Sequence, residues 1–211
     1  MLTQPVNSIR IKICGITSVA DAKHAVDAGT DAIGLVFYAP SPRAVSIELA
    51  REIAYSVGPF VTVVGLFVDA EEAFVKDVLS RVPLQVLQFH GDESPEYCER
   101  FQHPYMKAIR MRPELDLQQA IDHYPNAVAL LLDAYRPGVP GGTGETFDWH
   151  RIPKNSPRTI VLAGGLTPEN IAFAVISTQV YGVDVSGGVE SAPGKKDAHK
   201  INTFIHNAKH A

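Results

Sequence analysis

An alternation of short apolar segments with amphipathic segments runs along the sequence and restricts the folds that it can form. Each apolar segment is four to eight residues long, and a polar residue or a glycine follows it. Continuous apolar runs of this length are typical of strands buried on both faces of a parallel sheet. The predicted strands are residues 11–14, 32–38, 61–68, 86–89, 106–111, 127–133 and 159–164, and residues 182–188 predict an eighth strand that ends in a glycine turn.

Amphipathic segments between these strands predict helices. Three of them begin with a helix-start signal, namely Thr17 or Ser18, Ser94 before Pro95, and Thr167 before Pro168. The sixth strand lacks a clear helix after it. The predicted helices are residues 18–28, 47–57, 70–81, 94–102, 114–123, a segment starting at 167, and 197–209.

Eight strands, seven of them followed by a predicted helix, predict an α/β fold, a single (β/α)8 TIM barrel domain over residues 1–211 with a loose tail at 1–9. The alternative is a doubly wound open sheet. Such a sheet usually has fewer strands and a glycine-rich dinucleotide loop after the first one. Here the first strand ends in Cys14-Gly15, followed by an isoleucine and a threonine, which is not that loop. The barrel is therefore favoured.

Composition excludes several classes of partner. The net charge is -4 with both signs scattered, which argues against nucleic acid or an acidic membrane surface as a partner. Two cysteines do not make a disulfide framework, and the N-terminal residues have no apolar signal core. No apolar run approaches the ~20 residues that span a bilayer. We expect a cytoplasmic protein, a monomer or a homodimer.

In a (β/α)8 barrel the active site lies at the C-terminal ends of the strands. The residues at these ends are much more polar than the strands before them. In chain order they are Cys14, Arg43, Asp69, His90, Arg110, Asp133, Gly164, Gly165, Asp184, Ser186, Gly187 and Gly188.

Asp133 and Cys14 are the candidate acid–base pair. Asp133 ends an apolar run and precedes a loop that contains Gly138, Gly141 and two further glycines at 142 and 144. A carboxylate there is costly to bury without a role, although it can also cap the loop. A thiol can act as a base in its thiolate form. Taken alone, a cysteine such as Cys14 favours a small core side chain, and its position at a strand end makes the catalytic interpretation equally consistent.

The glycine turns at 164–166 and 186–188 are candidate phosphate sites. Backbone N–H groups at helix starts attract anions, and glycine permits close approach. The loops after strands seven and eight of a barrel commonly hold a phosphate. The alternative is two ordinary tight turns. We expect a small phosphorylated molecule as the substrate.

Other polar residues have two interpretations each. The planar fork of Arg43 suits a substrate carboxylate, and the alternative is a surface salt bridge. His90 is either catalytic or hydrogen-bonded to its neighbours, and we favour the second. Cys98 is interpreted as structural, and the charged run at 195–197 as a solvated loop. The spacing of His, Cys and acidic residues predicts no metal site.

Seven ordered motifs resemble phosphoribosylanthranilate isomerase. They are KICGIT (12–17), FYAPSPR (37–43), VGLFVD (64–69), LQFHGDE (87–93), LLD with GGTGETFDW (131–149), LAGGLTPENI (162–171) and GVDVSGGVE with PGKKD (182–197). The resemblance implies a (β/α)8 barrel without a cofactor. It also implies the Amadori rearrangement of N-(5-phosphoribosyl)anthranilate to 1-(2-carboxyphenylamino)-1-deoxyribulose 5-phosphate in tryptophan biosynthesis.

The same resemblance implies roles for individual residues. Cys14 corresponds to the general base, Asp133 to the general acid and Arg43 to the group that binds the anthranilate carboxylate. The phosphate turns correspond to Gly164, Gly165, Ser186 and Gly188, with Asp184 and His90 in the site. One departure is Gly187, where we expect a second serine, so a side-chain contact to phosphate is in doubt there.

Three rival functions are less consistent with these residues. Another phosphosugar barrel, such as a ribulose-phosphate epimerase or a tryptophan synthase α-type lyase, would share the phosphate turns. An epimerase is expected to add metal-binding His and Asp residues. A related isomerase of histidine biosynthesis would use two carboxylates, and here the first strand ends in Cys14. A non-catalytic binding subunit would not need Cys14, Asp133 and Arg43 together.

Overall fold

The computed structural model describes residues 9–134, 146–154 and 156–211. Most of the predicted tail and the four glycines at 138, 141, 142 and 144 lie outside the described residues. Eight parallel strands form a closed barrel in sequence order. They are β1 (Arg10–Cys14), β2 (Ala32–Val36), β3 (Thr62–Phe67), β4 (Val86–Phe89), β5 (Tyr105–Arg110), β6 (Ala129–Asp133), β7 (Ile160–Leu162) and β8 (Gly182–Val185).

Helices follow the strands and surround the barrel. They are α1 (Val19–Asp27), α2 (Ile47–Ser56), α3 (Glu72–Arg81), α4 (Pro95–Glu99), α5 (Leu117–His123), α6 (Ile171–Thr178) and α7 (Ala198–Lys209). Short 3-10 helices occupy Trp149–Arg151 and Gly187–Val189, and a small antiparallel sheet joins β9 (Glu190–Ala192) to β10 (Lys195–Lys196). The predicted order of strands and helices is confirmed.

Several helix-start signals act as the sequence predicts. The Ser18 hydroxyl accepts a hydrogen bond from the Asp21 N–H at the start of α1. Ser94 likewise accepts from the Tyr97 N–H, with Pro95 in the first turn of α4. These side chains satisfy backbone donors that the first helical turn leaves without a partner.

The predicted start of the helix after β7 is wrong. The helix α6 begins at Ile171, four residues after Thr167. The Thr167 N–H donates to the Asn170 side chain, and the Glu169 N–H donates to the Thr167 hydroxyl. These local bonds build a separate turn, because Thr and Asn side chains compete with the helix for backbone groups.

Alternation along the strands divides the buried residues into two layers. Outward-facing strand residues pack against the helices in one large cluster. Inward-facing residues fill the lower barrel with apolar side chains, including Val64, Met106 and Leu131. Towards the C-terminal ends several inward positions are polar, as at Lys12, Gln88, Asp133 and Asp184. The barrel is thus a packed core with a polar upper end.

The barrel closes between its first and last strands. Lys12 of β1 pairs in register with Asp184 of β8 and with Ala32 of β2. This register brings residues 172 positions apart in the chain into direct contact. Among the described residues, no helix has the length and apolar character needed to cross a membrane.

Candidate active site

A cavity of about 870 Å³ opens at the C-terminal ends of the strands. All ten residues that the sequence assigns to a site line this cavity, namely Cys14, Arg43, His90, Asp133, Gly164, Gly165, Asp184, Ser186, Gly187 and Gly188. Two other polar strand ends lie elsewhere: Asp69 accepts from the Asp92 N–H, and Arg110 donates to the His90 carbonyl. The ten residues therefore share one cavity at the C-terminal rim of the barrel.

Cys14 ends β1 with its side chain turned into the barrel. Its thiol is free, and the residue is 5% exposed. Burial raises the pKa of Cys14, Lys12 lowers it and Asp184 raises it further. Because burial prevails, the protonated thiol predominates at neutral pH.

Lys12 lies on the same face of β1 as Cys14, two residues earlier. Its ammonium donates to Asp184 Oδ1 at 2.9 Å, and both side chains are almost fully buried. Burial lowers the pKa of Lys12, but Asp184 and Cys14 outweigh this effect and leave it above its ordinary value. Lys12 is therefore a permanent cation inside the barrel at neutral pH.

Asp133 ends β6 and is held by a hydrogen-bond chain. Gln88 Nε2 lies 3.0 Å from His90 Nδ1, and His90 Nε2 lies 3.0 Å from Asp133 Oδ2. An amide nitrogen can only donate, so His90 Nδ1 accepts and Nε2 bears the hydrogen that goes to Asp133. Gly164 adjoins the other carboxylate oxygen, since a Cβ built there would lie 2.9 Å from Asp133 Oδ1. Among the described residues, this hydrogen-bond chain holds Oδ2 of Asp133, and Oδ1 lies beside Gly164.

The two glycine turns pack against each other at the rim. A Cβ on Gly188 would lie 1.9 Å from the Leu166 carbonyl oxygen, so only glycine permits this approach. Gly164 and Gly165 have φ values of 80° and 64°, which favour glycine. The prediction that residues 164–166 run straight into a helix is wrong, because a turn intervenes before α6. The turn after β8 instead enters the 3-10 helix at Gly187.

Arg43 is already engaged by a carboxylate of the chain. Its Nε and Nη2 atoms donate to the two oxygens of Glu190, each at 2.7 Å. Glu190 also accepts from Lys196 Nζ at 2.9 Å, which forms an Arg43–Glu190–Lys196 cluster. The salt bridge considered from the sequence is present, but its surface location is wrong, because the Arg43 side chain is only 16% exposed. The Nη1 edge of the guanidinium is the one turned away from Glu190.

The interpretation of residues 195–197 as a solvated loop is wrong. Lys196 is 5% exposed and lies on β10, and its ammonium also donates to the Ser186 carbonyl at 3.1 Å. Asp197 caps α7 by accepting from the Lys200 N–H. Burial lowers the pKa of Lys196, and Glu190 partly offsets this. Lys196 thus links the cluster to the turn after β8.

Sequence reasoning missed four residues that build this rim, namely Lys12, Gln88, Glu190 and Lys196. A detectable signal exists for two of them. Lys12 and Gln88 are polar residues inside apolar strands, each two positions before a predicted site residue and therefore on the same face. Glu190 and Lys196 gave no comparable signal, because only the fold brings them to Arg43.

The chemistry of the rim is that of protons and anions. Among the described residues, no three His, Cys, Asp or Glu side chains are grouped to hold a metal ion. A thiol and a carboxylate supply candidate proton-transfer groups, while the Arg43 fork and two glycine turns supply candidate anion sites. The arrangement suits a substrate with a negative group at each end.

Comparison with known families points in one direction. Residues 11–207 match the family model described as N-(5'-phosphoribosyl)anthranilate (PRA) isomerase. A protein of Cellvibrio japonicus (strain Ueda107) named N-(5'-phosphoribosyl)anthranilate isomerase is 69% identical over 198 residues, which cover 94% of this chain and 92% of that protein.

Solved structures agree with the sequence comparison. The crystal structure of phosphoribosyl anthranilate isomerase from Thermotoga maritima has a TM-score of 0.86 and 42% identity, and the match covers 96% of this chain and 100% of that one. A phosphoribosyl anthranilate isomerase in complex with reduced 1-(o-carboxyphenylamino)-1-deoxyribulose 5-phosphate has a TM-score of 0.82 and 39% identity, with 96% and 100% covered.

Proposed function

The chain belongs to the phosphoribosylanthranilate isomerase family, and from this premise we propose how its own residues perform the reaction. The substrate is N-(5-phosphoribosyl)anthranilate, an aminoaldose. The product is 1-(2-carboxyphenylamino)-1-deoxyribulose 5-phosphate, the corresponding aminoketose. The isomerisation is a step of tryptophan biosynthesis and consists of proton transfers, which require an acid, a base and fixed substrate ends.

One observation supports the assignment of roles more than any other. Cys14 and Asp133, from β1 and β6, face the same cavity as Arg43 and the two glycine turns. A thiol and a carboxylate on separate strands can reach different atoms of one bound sugar. We therefore assign the acid and the base to these two residues, as the family resemblance implies.

Asp133 is the general acid in this proposal. Opening the furanose ring requires a proton on the ring oxygen, and Asp133 donates it as the C1′–O bond breaks. His90 donates to Oδ2 of Asp133, so the acidic proton belongs on Oδ1. The product of ring opening is a cationic Schiff base between C1′ and the anthranilate nitrogen.

Cys14 is the general base. The iminium makes the proton on C2′ acidic, and the Cys14 thiolate removes it. The bonding electrons of C2′ form the enolamine and neutralise the iminium nitrogen. Tautomerisation to the ketone completes the rearrangement. Because the pKa of Cys14 is raised, the thiolate fraction and hence turnover increase as pH rises above neutrality.

The two ends of the substrate bind to different groups of the rim. Arg43 receives the anthranilate carboxylate on the Nη1 edge of its guanidinium while Glu190 fixes the other edge. The turns at Gly164–Gly165 and Ser186–Gly188 receive the phosphate through backbone N–H groups. Because both ends of the substrate are fixed, its reacting atoms are held in place relative to the acid and the base.

We also propose that the enzyme uses no cofactor or metal and that it acts in the cytoplasm as a monomer or a homodimer. The two buried free thiols, Cys14 and Cys98, suit a reducing compartment. Size-exclusion chromatography with light scattering distinguishes the two assemblies.

The test follows anthranilate fluorescence during turnover of freshly prepared substrate. We expect Cys14→Ala and Asp133→Asn each to lower kcat by about 100-fold or more, since each removes a proton-transfer group. Cys98→Ala removes the other buried thiol, which lies in α4 outside the cavity, and is the matched control. Circular dichroism verifies that each variant is folded.

Near-normal turnover in folded Cys14→Ala would remove the base from the proposal, and near-normal turnover in Asp133→Asn would remove the acid. If all three variants and the wild type fail to consume the substrate, the isomerase function itself is contradicted. Wild-type activity with loss in the two site variants alone supports both assignments.

A further inference from the structure

A buried lysine faces the same space as the sulfur of Cys14. Lys12 and Cys14 are separated by one residue on β1, so both side chains enter the barrel. A Cβ built on Gly34 of β2 would lie 2.7 Å from Cys14 Sγ and 3.0 Å from Lys12 Nζ. The sulfur and the ammonium are therefore neighbours across the space that Gly34 leaves open.

Asp184 explains how the cation stays there. A buried ammonium without a partner is strongly disfavoured, and an anion at hydrogen-bond distance offsets this. Lys12 and Asp184 are paired in the β1–β8 register and joined at 2.9 Å. The ion pair holds the Lys12 side chain beside Cys14, below the rim where we propose that the sugar binds.

We propose that Lys12 is a positioning residue for the isomerisation: held by Asp184, its ammonium stabilises the Cys14 thiolate that removes the substrate proton. This inference rests on the proposed role of Cys14 as the base. A cysteine buried among apolar side chains ionises poorly, because the thiolate is not solvated there. An adjacent cation stabilises the thiolate and lowers the pKa of the thiol.

The other charged groups near Cys14 already have partners, which for Asp184 is Lys12 itself. Among the described residues they are Asp184, Lys196 and Arg43, while the neighbouring side chains from β2 and β3 are apolar. Lys196 and Arg43 both bind Glu190 directly. Lys12 is thus the cation with the largest influence on the sulfur.

The test measures Cys14 alkylation by iodoacetamide against pH, in a Cys98→Ala background that leaves one thiol. In Lys12→Gln the amide can still donate to Asp184 but has no charge. We expect its alkylation midpoint to move upward by about one pH unit or more. The pH profile of kcat moves in the same direction, and kcat at neutral pH falls about tenfold or more.

Two companion variants separate charge from structure. Lys12→Arg retains the cation and is expected to keep the alkylation midpoint close to that of the wild type. Asp184→Asn removes the carboxylate that disfavours the Cys14 thiolate and is expected to move the alkylation midpoint downward. This measurement does not depend on activity. Structural damage would not move the thiol in opposite directions in Lys12→Gln and Asp184→Asn.

Lys107→Gln is the matched control outside the site. Lys107 is also a buried strand lysine paired with a carboxylate, Glu93, at 3.1 Å. Its loss is expected to leave the Cys14 midpoint unchanged. If Lys12→Gln does not fold, Lys12→Met, which fills the same space with an apolar chain, provides the measurement.

The outcomes are distinct. Upward movement of both the alkylation midpoint and the kcat profile supports the inference. An unchanged midpoint in a folded Lys12 variant overturns it and leaves the role of Cys14 intact. A moved midpoint with an unmoved kcat profile overturns the role of Cys14 as the base, and with it the catalytic role of Lys12.

Discussion

Single residues at the rim are constrained by contact as much as by chemistry. Gly164 has a positive φ, and a Cβ there would lie 2.4 Å from the Ala134 backbone nitrogen. Gly58 has nearly the same φ, 77°, but nothing lies within 4 Å of its Cβ position. A comparison of Gly58 with Gly164 therefore separates the effect of backbone conformation from the effect of crowding beside Asp133.

We expect Gly58→Ala to lower the free energy of unfolding by about 1 kcal/mol, from the positive φ alone. Gly164→Ala adds the clash, and we expect a loss of about 2–5 kcal/mol. Displacement of Asp133 should also lower kcat by about 100-fold. Urea unfolding and fluorescence kinetics measure the two effects. Equal losses of stability in both variants would contradict the role of crowding.

Sequence reasoning identified the rim residues at this scale but not their partners. Cys14, His90 and Asp133 are detectable because each follows an apolar strand. The pairing of Arg43 with Glu190 is not, because the two residues are 147 positions apart. A planar guanidinium suits a substrate carboxylate and a protein carboxylate equally, so residue type alone cannot distinguish them.

At the scale of elements, the small sheet of β9 and β10 supports the rim. It presents Glu190 and Lys196 to Arg43 in the loop after β2, and so connects distant parts of the chain. Burial alone would raise the pKa of Glu190, but Arg43 and Lys196 outweigh it and hold the pKa below its ordinary value of 4.5. The cluster therefore stabilises the fold only while Glu190 is ionised.

We expect Glu190→Gln to unfold more easily than the wild type at neutral pH. A carboxyl with a lowered pKa in the folded state contributes its full stability above the unfolded value and loses it as pH falls. The difference in the free energy of unfolding should thus shrink as pH falls below 4.5 towards the lowered pKa.

Urea titrations at a series of pH values measure this difference. Glu72→Gln is the matched control, because Glu72 also pairs with two cations, Lys76 and Arg100, but at the exposed surface. Exposed pairs contribute little, so its difference should be small throughout. A Glu190→Gln difference that is independent of pH would exclude an ionic contribution from the cluster.

Element order was predictable, whereas element ends were less so. The predicted helix at 197–209 is observed as Ala198–Lys209, because a capping aspartate and an amphipathic pattern define it. The predicted helix at 94–102 is reduced to Pro95–Glu99. The strand and glycine turn predicted at 182–188 are observed as β8, which ends at Val185, and a 3-10 helix that begins at Gly187. Local hydrogen bonds decide such ends, and apolar spacing does not reveal them.

At the scale of the whole molecule, the site depends on closure of the barrel. Its residues come from β1, β4, β6 and β8 and from the loops after β2, β4, β7 and β8, so they assemble only when β1 meets β8. The last helix, α7, packs against α1, α6 and the 3-10 helix after β8. Phe204 on α7 is fully buried in the layer between helices and barrel.

We expect Phe204→Ala to lower the free energy of unfolding by about 3–5 kcal/mol, since it leaves a cavity in that layer. Activity and circular dichroism should be lost together in urea, with both midpoints shifted equally. Phe173→Ala on α6 is the matched control, because Phe173 is 67% exposed, and its loss should be below about 1 kcal/mol. Separate midpoints for activity and structure would show that the rim unfolds independently of the barrel.

The barrel, the order of its elements and the residues at its rim could be predicted from the amino-acid sequence alone. This is possible because parallel strands all end at the same edge, so a residue after an apolar run reaches that edge whatever its neighbours are. The ion pairs could be read only from the folded chain: Lys12 pairs with Asp184 beside Cys14, and Arg43 pairs with Glu190, which also binds Lys196. These contacts depend on the register of closure and on short-range distances between residues far apart in the chain, which spacing along the sequence does not encode.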